Sequence, residues 1–151
     1  MPMKTKNLFL LLVISITVVF SACQPDQQPT PTDARDVYVA SWTCNENSSQ
    51  IGPSVFTVHI NKVTSSTTQV QIENFYNIGF NFNAKVEITG SSMSIPVQTI
   101  NGNQVHGSGT KTGANSISLT YYVNNGSGID TCTATLARQY LHLFPNQNPT
   151  I

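Results

Sequence analysis

Apolar and polar residues alternate along most of the chain after residue 36, and this period of two constrains the fold more than any other feature. Successive side chains of an extended strand point to opposite faces, so the alternation predicts strands with one buried face. Short connections rich in Gly, Asn and Ser separate these segments, as hairpins require, and none of the segments has a helical period. We predict eight strands, over residues 37–44, 55–61, 69–74, 82–89, 93–98, 104–110, 116–123 and 129–137.

The start of the chain has the pattern of an export signal. Lys4 and Lys6 precede an apolar run over residues 8–20, which is shorter than the stretch of about 20 apolar residues that a membrane helix needs. The run ends at Phe-Ser-Ala-Cys, which resembles the lipobox of bacterial lipoproteins. The resemblance implies that residues 1–22 are a cleaved signal peptide and that Cys23 is lipidated. The alternatives are an ordinary signal peptide with a stray cysteine, or an uncleaved anchor.

Residues 23–35 are predicted to form a disordered tether. Residues 23–33 contain three prolines and no large apolar side chain, so this stretch cannot bury enough surface to fold and stays extended. Gln24, directly after the cysteine, resembles the residue found in lipoproteins sent to the outer membrane. We therefore expect the membrane to be a partner through the lipid anchor, with the folded domain on the periplasmic or the cell-surface side of the outer membrane.

Cys44 and Cys132 lie in the first and last predicted strands, and they bear on whether the strands form a barrel or a sandwich. Outside the cytoplasm two such cysteines usually pair, and a disulfide requires Cα atoms about 5.5 Å apart. An antiparallel pairing at the cysteines places Tyr38 opposite Arg138 and closes the sheet. We predict an all-β, antiparallel, up-and-down eight-stranded barrel over residues 36–138, with two free buried thiols as the alternative to the disulfide.

The stretch VASWTC in the first strand, the eight-stranded pattern and Arg138 near the end of the last strand resemble the calycin group, which comprises lipocalins and their relatives. The stretches IENFYNIG, MSIPVQ and GSGT are similar to segments of the lipocalin-like domains of small secreted Gram-negative lipoproteins. In lipocalins the first-strand tryptophan and a late arginine stack at the closed end of the barrel. The resemblance implies such a stack between Trp42 and Arg138, whereas the disulfide register places Arg138 opposite Tyr38. It also implies a small apolar ligand or lipid.

The densest aromatic stretch is NFYNIGFNF, residues 74–82, between the third and fourth strands. Its rings are expected to gather at one end of the barrel, with Trp42 or Tyr121 as their inner neighbours. They either line a ligand pocket or plug the barrel, and we expect the plug. The candidate ligand-binding residues are Trp42, Phe75, Tyr76, Phe80, Phe82 and Tyr121.

Two smaller features bear on the wall of the barrel. Pro96 removes a ladder donor and predicts a bulge or an interrupted edge. Gly107 and Gly109 share one face of a strand, where their missing side chains either leave a pocket or admit a ring such as Trp42 or Tyr121. We expect close packing there.

Composition and motifs argue against several classes of function. Once Lys4 and Lys6 are removed with the signal peptide, five Lys and Arg face seven Asp and Glu, without a basic cluster, so nucleic-acid binding is not expected. The three histidines lack the spacing of a zinc site, and the carboxylates form no catalytic motif. We expect neither a metal, a cofactor nor an enzymatic activity.

Two functions remain open at this stage. The first is a lipoprotein whose barrel binds a small apolar molecule or lipid, which requires an enclosed cavity of a few hundred Å³. The second is a filled barrel that serves the cell envelope as a structural or interaction module. The residues from 139 to 151 form a tail that either packs over a barrel end or contacts a partner.

Overall fold

The computed structural model describes residues 33–140. The predicted signal peptide, Cys23, most of the tether and the tail from residue 141 lie outside the described residues. Among residues 33–140, no helix is long and apolar enough to cross a membrane. The described part contains one 3₁₀ turn at Phe75–Asn77 and eight strands: β1 Ala40–Ser48, β2 Gly52–Lys62, β3 Gln69–Glu73, β4 Asn83–Thr89, β5 Ser92–Ile100, β6 Asn103–Gly113, β7 Ser116–Asn124 and β8 Ile129–Arg138.

The strands form one closed antiparallel barrel in which each strand pairs with the next along the chain. β1 also pairs with β8, so the sheet has no free edge there. The all-β, up-and-down eight-stranded barrel predicted from the alternation is confirmed. Buried and exposed residues alternate strictly along β7 and β8, for example, as expected for a wall with a dry inner face and a solvated outer face.

The register between the first and last strands differs from the predicted one, and the predicted disulfide is wrong. Cys44 lies opposite Leu136, while Cys132 lies opposite Ser48. Four residues of strand, or about 13 Å, separate the two cysteines along the wall, whereas a disulfide needs Cα atoms within about 7 Å. Both cysteines are buried and free. A shift by an even number of residues keeps the apolar faces matched, so the alternation could not reveal it.

One end of the barrel, which we call the closed end, is built around Trp42, Tyr38 and Arg138. Trp42 lies opposite Arg138 in the ladder, and the Arg138 Cζ lies 5.0 Å from the centroid of the indole ring. The Trp42 indole N–H donates to the Tyr38 carbonyl at 2.9 Å, and Arg138 donates to the Val37 carbonyl at 2.6 Å. The tryptophan–arginine stack implied by the lipocalin resemblance is therefore present. Arg138 lies opposite Trp42 and not, as the disulfide register had predicted, opposite Tyr38.

The segment before β1 is folded against the closed end rather than extended as strand. Arg35 is buried, and its guanidinium donates to the carbonyls of Val63 and Gln69, both at 3.1 Å. The same side chain pairs with Asp33 at 2.7 Å. Residues 33–35, which we assigned to the end of the disordered tether, thus belong to the folded domain, because the buried guanidinium caps the loop between β2 and β3.

The opposite end, the loop end, carries the connections 49–51, 74–82, 101–102 and 125–128, and its wall is less regular. β3 is short, so the part of β2 before His59 has no partner in that strand. β4 and β5 share three paired positions, and beyond them the Gln98 side chain bonds both to the N–H and to the carbonyl of Lys85, at 2.9 and 2.8 Å. A register shift between Ile95 and Gln98 confirms the irregularity predicted at Pro96.

The interior is tightly filled. A Cβ added to Gly107 would lie 2.6 Å from the Cβ of Tyr121, so the glycine lets that ring approach the strand. A Cβ at Gly109 would collide with Leu119. The close packing expected at these two glycines is confirmed, and the ring that lies at Gly107 is Tyr121 rather than Trp42.

Candidate functional site

The aromatic loop, residues 74–82, folds over the loop end in an unusual backbone conformation. Asn74, Tyr76 and Asn77 all have positive φ angles, of 59°, 56° and 55°. Residues other than glycine adopt such angles at a cost of roughly 1–3 kcal/mol each, and they concentrate at functional sites. The Asn74 side chain holds the loop in place by accepting from the Gly79 N–H and donating to the Thr57 carbonyl, each at 2.8 Å.

The rings of the aromatic loop divide between the inside and the outside of the barrel. Phe75 is buried, with its centroid 4.4 Å from that of Tyr121, and Tyr76 meets Tyr121 edge to face at 6.4 Å. Phe82 is partly buried against the core. Phe80 is half exposed and packs against His59 on the outer surface, with the ring centroids 4.8 Å apart and the rings tilted. The structure therefore brings Phe75 and Tyr76 together on Tyr121, places Phe82 against the core and separates Phe80 from them.

Of the two predicted inner neighbours, Tyr121 lies beneath the loop and Trp42 does not. Trp42 belongs to the closed end, where it packs with Arg138. The reason is again the register, because Trp42 pairs near the end of β8 whereas Tyr121 pairs with Cys132, close to the start of that strand. The role of these residues in ligand binding stays a prediction.

Asp130 connects three segments of the loop end. Its carboxylate accepts hydrogen bonds from Tyr76 of the aromatic loop at 2.7 Å, from Ser48 at 2.5 Å and from Ser49 at 2.9 Å. The Gln50 N–H adds a fourth bond at 3.1 Å. Burial alone would raise the pKa of Asp130, but these hydrogen bonds lower the pKa to about 2. The side chain is thus a buried carboxylate that ties the aromatic loop to the turn after β1.

Glu46 is a second buried carboxyl group at the same end. It is 6% exposed and hydrogen bonded to the Tyr121 hydroxyl. Burial and the nearby charge of Asp130 raise the pKa of Glu46 to about 7. Within residues 33–140, neither Glu46 nor Asp130 forms a salt bridge with a Lys, Arg or His. The two carboxyl groups are therefore stabilised mainly by hydroxyl and N–H donors.

The two buried thiols, of which only Cys44 lines this region, are in the unreactive protonated form. Cys44 contributes to the wall of the interior space, and burial raises the pKa of Cys44 to about 12. Burial also raises the pKa of Cys132, with the charges of Glu46 and Asp130 adding to the effect. Because the thiolate is the nucleophilic form, both cysteines are inert at neutral pH.

A small interior space lies beneath the aromatic loop. Its volume is about 10 Å³, and its walls are almost entirely apolar. A single water molecule needs about 10–15 Å³, so the closed barrel has no room for a larger ligand in this space. The lining residues are Cys44, Phe56, Val58, Ile72, Phe75, Tyr76, Leu119, Tyr121 and Leu136. In this structure the aromatic loop plugs the barrel.

The carboxyl cluster was not among the residues singled out from the sequence, although the signal was there. Glu46 has the same parity along β1 as the buried Trp42 and Cys44, and Asp130 has the parity of the buried Cys132. A charged residue at an inward position of a strand is an exception to the alternation. Such exceptions identify buried polar groups, and these groups concentrate at functional sites.

Comparison with known proteins gives information on the fold alone. No protein-family model and no curated protein matches the chain. Among solved structures, the chain is similar to the redesigned β-barrel b11L5F_LGL, with a TM-score of 0.52 and 18% identity over 71% of this chain and 96% of that one. It is also similar to EF1p2_mFAP2b bound to DFHBI, with a TM-score of 0.50 and 14% identity over 70% of this chain and 97% of that one. Both likenesses agree with the eight-stranded antiparallel barrel described above.

Proposed function

We propose that the barrel binds one small, mainly apolar molecule at the loop end, and that the aromatic loop moves aside to admit it. The observation that carries this proposal is the apolar space beneath Phe75 and Tyr76, with the Glu46 and Asp130 carboxyl groups close by. Ligand sites typically combine an apolar wall with a few polar groups of perturbed pKa.

The cost of this arrangement argues for a role beyond that of a plug. Burial raises the pKa of Glu46, so this carboxyl group destabilises the fold when it ionises, and a plug does not require it. The three left-handed residues Asn74, Tyr76 and Asn77 add backbone strain. A barrel end that only had to be filled could use apolar side chains on an ordinary hairpin. The backbone strain and the buried Glu46 therefore support a loop that has more than one position.

The wall beside the aromatic loop gives it room to move. The loop lies between the unpaired part of β2 and the seam between β4 and β5, where the Gln98 side chain takes the place of ladder bonds. Ligand sites usually measure about 300–1,000 Å³, so the space of about 10 Å³ must expand by displacement of Phe75 and Tyr76. The complex of EF1p2_mFAP2b with DFHBI supports the view that a barrel of this fold can hold a small molecule.

We further propose that the chain is a lipoprotein anchored through lipidated Cys23 in the outer membrane, facing the periplasm or the cell surface. The proposal is supported by the Phe-Ser-Ala-Cys motif and by the proline-rich segment that follows it. We propose no catalytic role and no cofactor. Labelled fatty acid should be incorporated into the wild type and into Cys44→Ser, but not into Cys23→Ser. Incorporation into Cys23→Ser would exclude the anchor.

A filled interaction module is the second candidate, because the closed interior leaves a space of only about 10 Å³. Ile51 and Ile129 are 70% and 60% exposed at the loop end, and they would contribute to a contact surface. In this alternative the aromatic loop is a permanent plug and the outer surface carries the function.

Native mass spectrometry of the full chain, purified from its own envelope, separates these candidates. We expect one small molecule bound per chain, and we expect Val58→Phe to abolish binding because Val58 lines the interior space. Val55→Phe is the matched control, since Val55 lies on the same strand but is 69% exposed. The same protein without any bound molecule, even after incubation with extracted envelope lipids, would contradict ligand binding and favour the filled module.

A further inference from the structure

Two hydrogen bonds connect the region of the aromatic loop to the buried carboxyl groups. Tyr76 in the loop donates to Asp130 at 2.7 Å, and Tyr121, on which Phe75 and Tyr76 pack, is bonded to Glu46. Movement of the loop away from the barrel would break the Tyr76–Asp130 bond and uncover Tyr121. Water would then reach Glu46, which is almost completely buried while the loop is closed.

The surroundings of Glu46 contain no described group that can neutralise it. The groups that face it are Cys44 of β1, Ser54 of β2, Tyr121 of β7, Asp130 and Cys132 of β8, and Tyr76 of the loop. Asp130 is negative at neutral pH, while burial raises the pKa of both cysteines and of Tyr76, so those groups stay protonated. Ionisation of Glu46 therefore places a second negative charge beside the first one in a dry environment.

We propose that ionisation of Glu46 opens the aromatic loop, so that access to the barrel interior increases as the pH rises through neutrality. Opening admits water to the Glu46 carboxylate, which relieves its desolvation and screens part of its repulsion with Asp130. This inference deepens the proposed ligand site, because it gives the regulation of that site. The opening itself can be measured without any ligand.

Linkage sets the size and the direction of the effect. Glu46 has a pKa of about 7 in the closed state, against an ordinary value of 4.5 that full hydration in the open state would restore. Proton release then favours the open state, and the ratio of open to closed molecules increases by up to about 150-fold between pH 4.5 and pH 8. Most of the change falls between about pH 5 and pH 7.

Amide hydrogen exchange of the full chain at about pH 5 and pH 8 tests the proposal. The reporter amides are Gly79, which donates to Asn74 at 2.8 Å, and Phe82, which donates to the Gly79 carbonyl at 3.0 Å. Their protection is expressed relative to an unstructured chain at the same pH. We expect it to fall by at least about tenfold in the wild type and by less than about threefold in Glu46→Gln.

Two control variants exclude other titrating groups near the loop. His59 packs against Phe80 of the aromatic loop, so His59→Gln must keep the pH response if Glu46 causes it. Glu73 lies outside the barrel, where it accepts from Asn61 and Gln71, so Glu73→Gln must keep the response as well.

The proposal is overturned if wild-type protection falls by less than about tenfold, or if Glu46→Gln shows the same fall. Should Glu46→Gln not fold, the wild type and His59→Gln still decide, because the proposal requires the protection to fall by at least about tenfold between about pH 5 and pH 8 in both. Loss of the response in His59→Gln would overturn it too. Failure of ligand binding is a separate result, since these experiments contain no ligand.

Discussion

The two ends of this barrel use their polar groups in opposite ways. At the closed end the buried cation Arg35 meets three backbone carbonyls and the Asp33 carboxylate, and Arg138 stacks on Trp42. At the loop end two buried carboxyl groups have hydroxyl and N–H donors instead of a cation. The comparison teaches that the same barrel can have one end that stabilises the fold at any ordinary pH and another end whose stability depends on the protonation of Glu46. Four predictions, from the largest expected effect to the smallest, test this difference.

Trp42→Ala should have the largest effect on stability. The substitution removes a fully buried indole, its hydrogen bond to the Tyr38 carbonyl and the surface on which Arg138 stacks. We expect a loss of about 3–5 kcal/mol in the free energy of unfolding, measured by denaturant titration. A loss below about 1 kcal/mol would show that the closed end does not stabilise the barrel as described.

Glu46→Gln should stabilise the protein at high pH. The folded-state pKa of Glu46 is raised from 4.5 to about 7, so the wild type loses stability as the pH rises between these values, because the unfolded chain releases its proton first. Relative to the wild type, Glu46→Gln should gain roughly 3 kcal/mol at about pH 8 and almost nothing at about pH 4. A difference that is the same at both pH values would be incompatible with a buried, titrating Glu46.

Asp130→Asn should destabilise the loop end. We expect the free energy of unfolding, measured by denaturant titration at about pH 5, to fall by about 1–3 kcal/mol. The reason is that Ser48, Ser49 and Tyr76 lose a charged acceptor. The pKa of Asp130 is lowered from 3.8 to about 2 in the folded state. The ionised carboxylate therefore stabilises the fold fully above about pH 3.8, and this contribution disappears as the pH falls through 2. The difference in the free energy of unfolding between Asp130→Asn and the wild type should therefore become smaller as the pH falls below about 3.8.

The control for Asp130→Asn is Asp36→Asn. Asp36 has a side chain that is 42% exposed and pairs with Lys62 at the closed end. Exposed pairs of this kind contribute little, so the control should change the free energy of unfolding by less than about 1 kcal/mol. An equal loss of unfolding free energy in both variants would show that the buried hydrogen bonds of Asp130 stabilise the fold no more than an exposed ion pair does.

Phe80→Ala should have the smallest effect. Phe80 is 48% exposed and contacts His59 on the outer surface, apart from the rings that fill the barrel. We expect a loss below about 0.5 kcal/mol by denaturant titration, whereas Phe75→Ala should cost about 3 kcal/mol or more. Equal losses would show that all rings of the aromatic loop act together, as the sequence had suggested.

The fold was predictable because the alternation survives along most of the strands, and eight strands that each have one buried face are compatible with few architectures. The register was not predictable from the same pattern. A slip of four residues between β1 and β8 keeps Trp42, Cys44 and Leu136 facing inward, so the wrong pairing and the correct one look alike in the sequence. The two cysteines then favoured the wrong register, because pairing them in a disulfide assumes that they lie opposite each other. Whether they do so can be known only once the register is known.

The site was predictable in part, and the missing part has a physical cause. Phe75, Tyr76 and Tyr121 were found from aromatic density and from the glycines of β6. The conformation of the aromatic loop was not, because its left-handed residues are Asn and Tyr rather than Gly. Glu46 and Asp130 occupy inward positions that the alternation marks as exceptions, yet their contact depends on the true register.

Native-state hydrogen exchange at both ends of the full chain, at about pH 8 and in increasing denaturant, tests the difference between the ends most directly. The Gly79 and Phe82 amides report on the loop end, and the Val63 and Arg138 amides report on the closed end. We predict that the loop amides exchange through a local opening that denaturant hardly affects, while the closed-end amides exchange only through global unfolding. Equal opening free energies with the same denaturant dependence at both ends would contradict the account.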